Sequence, residues 1–198
     1  KIPEMRKKML YTLMMLVVFR LGSNIPVPGI NRALLASMFD ANNAGLLGLY
    51  DIFSGGSFSN FTIFALGISP YITSSIILQL LAVAIPALEE LSKQGEEGRR
   101  KIAALTRYIT LGLALIQAVG YTFGLFSGVI TYTNVFAKMI IVLILVAGSI
   151  SLMWLGEKIN DNGMGNGISI IIFAGIVSRI PTAVKSTVSG MLSGDISP

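Results

Sequence analysis

The sequence has no cysteine and no histidine, a single tryptophan, and charged residues at only 13% of positions. Without cysteine there is no disulfide framework and no thiol nucleophile. Without cysteine and histidine the usual structural and catalytic zinc sites are excluded, and a Ser-His pair lacks its base. The 10 acidic residues all fall in predicted loops or at the ends of predicted spans. Proton and cation pumps place carboxylates or histidines within the membrane, and intramembrane aspartyl proteolysis needs an aspartate pair there. No catalytic residue, no metal and no cofactor is therefore expected, and the chain does not read as an enzyme.

Charge is absent altogether from residues 52–88, which hold no Lys, Arg, Asp or Glu. A bilayer's hydrocarbon core takes about 20 helical residues to cross, so this run exceeds one plain crossing. Its two parts also differ. Residues 52–62 hold Ser54, Gly55, Gly56, Ser57, Ser59 and Asn60, which suit a turn or broken helix. Residues 63–85 are apolar but carry Ser69-Pro70 and the cluster Thr73-Ser74-Ser75. Irregular backbone is tolerated at membrane depth only inside protein or beside water, so the run points to a conduit rather than an anchor.

What remains is apolar: 53% hydrophobic residues, with mean hydropathy +0.74. Several long apolar runs make this an all-α, polytopic membrane protein; barrel strands would be segments of roughly ten residues of alternating polarity. The net charge of +5 clusters at the ends of apolar runs, which fits positive-inside topology better than nucleic-acid binding. Arg6-Lys7-Lys8 before an apolar stretch resembles the start of a signal peptide, but Arg20, Pro26 and Pro28 stand where a small-residue cleavage site belongs, so a retained first span is expected.

Five crossings are expected, at 9–27, 63–87, 102–123, 135–155 and 167–184. A basic surface segment precedes them at 1–8. Residues 31–43 are polar enough to sit in water, 89–101 is a densely charged loop, 124–134 an uncharged connector, 156–166 a short polar loop, and 185–198 a polar tail. Lys1, Arg6, Lys7, Lys8, Lys93, Arg99, Arg100, Lys101 and Lys158 fall on one side; the other has Arg32 and Lys185, with Lys138 and Arg179 at span ends. The N-terminus is expected in the cytoplasm and the C-terminal end of the segment outside.

Gly163-Met164-Gly165-Asn166-Gly167 has the look of a phosphate loop but lacks the preceding strand such loops need; a tight turn with Asn166 or a neighbour capping the fifth span is expected. Arg20 either snorkels to the interface or faces an aqueous vestibule. Ile68 and Ile72, and again Ile168 and Ile172, are four apart and share a helix face; by periodicity alone this is lipid contact or helix packing. Gln79 and Gln117 are costly to leave in lipid and need partners.

Four segments, FRLGSNIPVPGI (19–30), DIFSGGSFSNFTIFALGISPYITSSIILQLL (51–81), KQGEEGRRKIAALTRY (93–108) and MWLGEKINDNGMGNGISIIIFAGIV (153–177), resemble the SecY protein-conducting channel family in the family's own order and across nearly the whole chain. The resemblance implies the N-terminal half of a ten-helix architecture built as an inverted repeat, with a discontinuous second helix made of a plug and a gate helix. The plug would be residues 44–60, with Leu46, Leu47, Tyr50, Ile52, Phe53, Ser54, Gly55 and Gly56. Ile68, Ile72, Ile168 and Ile172 would contribute to an apolar pore ring able to dewet against ions. Thr73, Gln79 and Gln117 would be lateral-gate contacts. Lys93, Arg99, Arg100, Lys101 and Arg107 would meet a cytoplasmic partner or lipid headgroups.

In that family the pore subunit conducts unfolded secretory polypeptide across the bacterial inner membrane and releases hydrophobic segments sideways into the lipid bilayer. The implied partners are a SecE-like and a SecG-like subunit, a SecA-type motor ATPase or a ribosome, and the translocating polypeptide with its signal sequence. Half of a small-solute transporter, or a non-conducting membrane scaffold, would share the composition.

Overall fold

A computed structural model of the chain describes residues 2–41, 46–132 and 134–192. Among these the architecture is all-α. The elements are α1 (Ile2–Gly22), α2 (Arg32–Ala41), α3 (Leu46–Phe53), α4 (Ser69–Ala84), α5 (Pro86–Lys93), α6 (Gly95–Val119) with a π-helical continuation (Gly120–Leu125), α7 (Val135–Asn162) and α8 (Gly167–Leu192). Helix α7 is central, packed on α1, α6 and α8; α6 packs on α4 and α5, and α3 on α8.

Several elements depart from the expected ranges for local reasons. The basic segment 2–8 is not separate but is the first two turns of α1. The polar stretch 31–43 contains a helix, α2, because Asn31 caps it, its side-chain oxygen accepting the backbone N–H groups of Ala33 and Leu34 at 3.1 and 3.3 Å. Leu35 is buried there and Phe39 meets Phe58 edge-on, so this segment contributes to the core rather than only to a wet loop. The second expected span starts later, since residues 54–67 form successive turns and α4 begins only at Ser69, with Pro70 in its first turn.

Helix α4 ends at Ala84, and a break at Ile85 before Pro86 turns the chain by 104° into α5. A proline clashes with helical continuation at the residue before it. The charged stretch 89–101 is accordingly helical, divided only at Gln94, which caps both α5 and α6, and the φ of +69° at Gly95 redirects the path into α6. By length and composition α6 with its continuation and α7 can each cross a membrane, and α4 with α5 can do so as one bent pair. The first helix has charges at both ends of a short apolar stretch, and the apolar part of α8 is Gly167–Pro181.

Two apolar clusters hold the helices together. One joins Phe58, Phe61, Leu66, Ala114, Ala118, Phe126, Ile141 and Leu145 beneath an outer layer of extended chain. That layer is short: Val27 donates to Phe61 O and Ile63 to Ile25 O, both at 3.0 Å, while Thr131 donates to Gly29 O at 2.9 Å. The other cluster joins α1, α4, α7 and α8 through Met15, Phe19, Phe64, Ile68, Leu152, Leu155, Ile159 and Ile171.

Candidate pore constriction and plug

Helix α7 fixes where α4 begins. Gly148 has no side chain, so the Ile63 carbonyl lies where a Cβ would sit, at 1.8 Å from its ideal position. One residue on, Ser149 Oγ donates to Gly67 O at 3.3 Å. The turn 63–67 is thereby pressed against α7, and Ile68 follows as the N-cap of α4. Ile68 is buried, and Ile72, Ile168 and Ile172 pack against the same cluster. The two isoleucine pairs are therefore brought together. Ile68, Ile72 and Ile172 line one cavity of about 210 Å³ together with Tyr50, Phe53 and Ser54. Ile168 lies one turn away, beside Gly156 of α7.

The α3 segment stands over that cavity. Tyr50 Oη donates to Leu66 O at 2.6 Å, and burial, helped by the neighbouring Tyr121 phenol, raises the Tyr50 pKa above its ordinary value. Its ring packs edge-on against Phe58. Ile52 and Phe53 are exposed, whereas Ser54, Gly55 and Gly56 are buried. Gly55 and Gly56 have φ of +65° and +87°, a region open to glycine and costly for other residues. The side chains of Leu46 and Leu47 lie outside the described residues.

Sequence reasoning missed what holds this turn. Asp51 is buried; its Oδ1 accepts the backbone N–H of Ser59 at 2.7 Å, and its Oδ2 is ion-paired with Arg179 of α8. Arg179 also donates to Ser59 Oγ at 3.0 Å. Gly55 abuts Gly175 so closely that a Cβ at Gly55 would stand 2.9 Å from the Gly175 Cα. Arg20 does not simply snorkel: its guanidinium turns toward this seat, donating to Ser178 Oγ at 3.1 Å and Gly55 O at 3.5 Å. The available signal was a pair of charges, Asp51 and Arg179, isolated at the edges of apolar stretches.

The residues expected at a lateral gate are not gathered into one contact. Thr73 is half-buried on α4, and Gln79 is exposed with its amide on Ser75 Oγ at 3.4 Å. Gln117 on α6 keeps a buried Oε1 without a hydrogen-bond partner. Among the described residues, a polar contact between α4 and α6 is instead made by Ser74 Oγ with Thr110 Oγ1, 2.5 Å apart. Thr110 belongs to a stripe of small buried residues on α6, Thr106, Thr110, Ala114 and Ala118.

At the other end, Lys93, Arg99, Arg100, Lys101 and Arg107 are exposed. Lys93 pairs with Glu89 at 2.6 Å and Lys101 with Glu97 at 3.0 Å, each within its own helix, while Arg107 bridges α6 to Glu157 of α7 at 2.9 Å. The 163–167 turn is tight, with Asn166 Oδ1 accepting the N–H groups of Ile168 and Ser169 at 3.1 and 3.4 Å as the cap of α8.

A family model described as SecY matches residues 62–197. The chain belongs to the SecY family. It is 46% identical over 194 residues to the protein translocase subunit SecY of Pseudomonas aeruginosa, a match covering 98% of this chain and 44% of that protein. It is 50% identical over 189 residues to that of Halalkalibacterium halodurans, covering 93% and 43%, and 44% identical over 206 residues to that of Aquifex aeolicus, covering 100% and 48%. The chain thus spans less than half the length of these SecY relatives. Its fold is similar to Sec61 in the canine ribosome-channel complex from the endoplasmic reticulum, with a TM-score of 0.67 at 20% identity over 96% of this chain and 42% of that one. A second solved structure, of a SecY channel whose plug domain is described as stabilising the closed state, has a TM-score of 0.66 at 20% identity, over 96% of this chain and 41% of that one.

Proposed function

We propose that this chain supplies the N-terminal half of a protein-conducting pore, through which unfolded secretory polypeptide crosses the bacterial inner membrane and apolar segments leave sideways into lipid. The observation that carries this reading is the shared cavity: Ile68, Ile72 and Ile172 line one space, directly against Tyr50, Phe53 and Ser54. Ile68, Ile72, Ile168 and Ile172 form this half's share of an apolar ring, and residues 44–60 are the plug above it. Branched apolar side chains around a narrow waist dewet it against ions and yield to a passing chain without any covalent chemistry. The pore needs no catalytic residue of its own, because the energy comes from a partner.

Five crossings put the N-terminus in the cytoplasm and the C-terminal end of the segment outside, with α1 and α8 completing the count begun by α4, α6 and α7. On this topology Lys93, Arg99, Arg100, Lys101 and Arg107 face the cytoplasm, where a SecA-type motor or a ribosome docks. A SecE-like subunit clamps the complex and a SecG-like subunit joins it. Thr73, Gln79 and Gln117 lie along the gate through which a signal sequence passes, and the unpartnered Gln117 oxygen is suited to accept from an incoming polar group.

Cysteines introduced at Ile68 and Ile172 in the full complex are expected to crosslink to a stalled translocating chain. Exposed positions on the same helices, Leu80 and Phe173, are the controls. If neither isoleucine position reacts more than those controls, the pore assignment is wrong. A small-solute carrier would instead bind a defined small ligand near residues 73–79.

A further inference from the structure

We infer that Asp51 and Arg179 form a latch that holds the plug shut, and that α8 carries both the latch and the pore-lining isoleucines so that a passing chain opens the one by displacing the other. The inference rests on the plug reading of the preceding section. Asp51 sits in the last turn of α3, buried, and organises the chain that follows it: its Oδ1 receives Ser59 N–H at 2.7 Å, Ser54 Oγ donates to its backbone O at 3.0 Å, and Gly56 N–H donates to that same oxygen at 3.0 Å. Its remaining carboxylate oxygen meets Arg179. The guanidinium reaches Ser59 Oγ as well, so it grips the turn 54–59 from both ends.

On α8, Ile168, Ile172, Gly175 and Arg179 follow one another at spacings of four, three and four residues, which is one face of a helix. The waist contact and the plug contact are therefore made by one stripe of one helix. Gly175 allows the plug backbone to lie directly on it, with a Cβ there standing 3.2 Å from Phe53 O. Two residues past Arg179, Pro181 lies inside the helix; it removes an intrahelical N–H donor and crowds the preceding turn, which loosens the helix just beyond the latch. Pushing on Ile172 moves a rigid apolar segment that ends at a soft point, with Arg179 at the junction. The Asp51 carboxylate then loses its cation while buried, a state that favours departure of the whole turn into water.

The test uses the full-length complex in sealed vesicles, reading resting ion leak with no substrate present. Asp51→Asn, an isosteric change, and Arg179→Gln are each expected to raise the leak by about tenfold: the first removes the charge that holds the half-buried Arg179 to the turn, and the second leaves the buried Asp51 carboxylate uncompensated. The combined variant is expected to leak no more than the worse single one, as members of one pair are non-additive. Arg179→Lys, which keeps the charge, is expected to leak less than Arg179→Gln. If the single variants stay at the wild-type level while deleting residues 44–60 raises the leak, the latch is overturned and the plug stands. If that deletion also leaves the leak unchanged, the plug reading falls with it. Effects of Asp51→Asn and Arg179→Gln that multiply in the combined variant overturn the pairing, and thermal melting of each purified complex confirms that leak is compared between folded channels.

Discussion

Ser74 of α4 and Thr110 of α6 share a buried hydroxyl contact of 2.5 Å, a polar tie between the two helices that falls on the stripe of small buried residues of α6. Each hydroxyl also has a local outlet, Ser74 to Tyr71 O at 2.9 Å and Thr110 to Thr106 O at 2.7 Å. Removing one partner therefore leaves the other still bonded. Polar contacts of this kind between membrane helices average about 0.6 kcal/mol, with a maximum near 1.7. Ser74→Ala and Thr110→Val are each expected to cost about 0.5–1.5 kcal/mol, and the pair together less than the sum. Detergent-induced unfolding of the complex, read in a double-mutant cycle, checks this; strict additivity would show that the two hydroxyls do not act on each other.

Gly148 and Gly112 make opposite predictions for the same substitution. A Cβ on Gly148 would run into the Ile63 carbonyl, a backbone atom that cannot swing away, whereas one on Gly112 meets nothing within 4 Å. Overpacking a tight interface costs about 1–3 kcal/mol. Gly148→Ala is expected to lose that much stability and to shift the start of α4, reducing translocation. Gly112→Ala is expected to leave both unchanged. Equal behaviour of the two in thermal melting would mean that the α7 contact with residues 63–67 does not set the position of Ile68.

The helices were legible where apolar runs were long and charge was thin. The central helix α7 is the clear case, since residues 135–155 read as a span and the helix continues through 162 only because nothing in Gly156–Asn162 stops it. The charged stretch 89–101 was read as a loop because its polarity was obvious. Its helicity is set by Pro86 at the start of α5 and by the Glu–Lys pairs spaced four apart, features that say nothing about water exposure. The stretch 31–43 hid a helix because Leu35 and Phe39, its buried face, are only one turn apart.

For the site, the i, i+4 isoleucine pairs were visible, but their meeting is a tertiary fact: periodicity places Ile68 with Ile72, and only the seating of turn 63–67 on α7 and a side-chain cluster shared with α8 bring them to Ile172. The same limit applies to Asp51 and Arg179, which are 128 residues apart. Composition shows each charge to be out of place among apolar neighbours, and no local rule pairs them. Thr110 lies on the buried stripe of α6, yet threonine in a helix so often bonds its own backbone that it gave no signal of a contact with Ser74.

Arg107 and Glu157 join α6 to α7 at 2.9 Å, with side-chain exposures of 55% and 20%. Pairs open to solvent contribute about 0–1 kcal/mol and are screened by salt. Arg107→Gln is expected to change the stability of the complex by less than about 1 kcal/mol at low salt and by nothing measurable in high salt. A substantial loss of motor- or ribosome-driven translocation in the same variant, with melting unchanged, would then assign Arg107 to the partner surface. A loss of both together would make it a structural strut instead.

Tyr50 ties α3, the proposed plug, to the turn before α4 by one hydrogen bond, from its hydroxyl to Leu66 O at 2.6 Å, while its ring stays in contact with Phe58 and Tyr121. Tyr50→Phe keeps the ring and removes only the donor. The net value of such a bond is about 1 kcal/mol, and the orphaned Leu66 carbonyl adds to the loss if water does not reach it. A change of 1–2 kcal/mol in a closed-to-open equilibrium alters it by roughly 5- to 30-fold. The resting ion leak of vesicles carrying the full complex is therefore expected to rise within that range in Tyr50→Phe. Tyr108→Phe, at an exposed position on α6, is the control and is expected to leave the leak near the wild-type level. An unchanged leak in Tyr50→Phe, with Asp51→Asn still raising it, would locate the hold on the plug at α8 rather than at the start of α4.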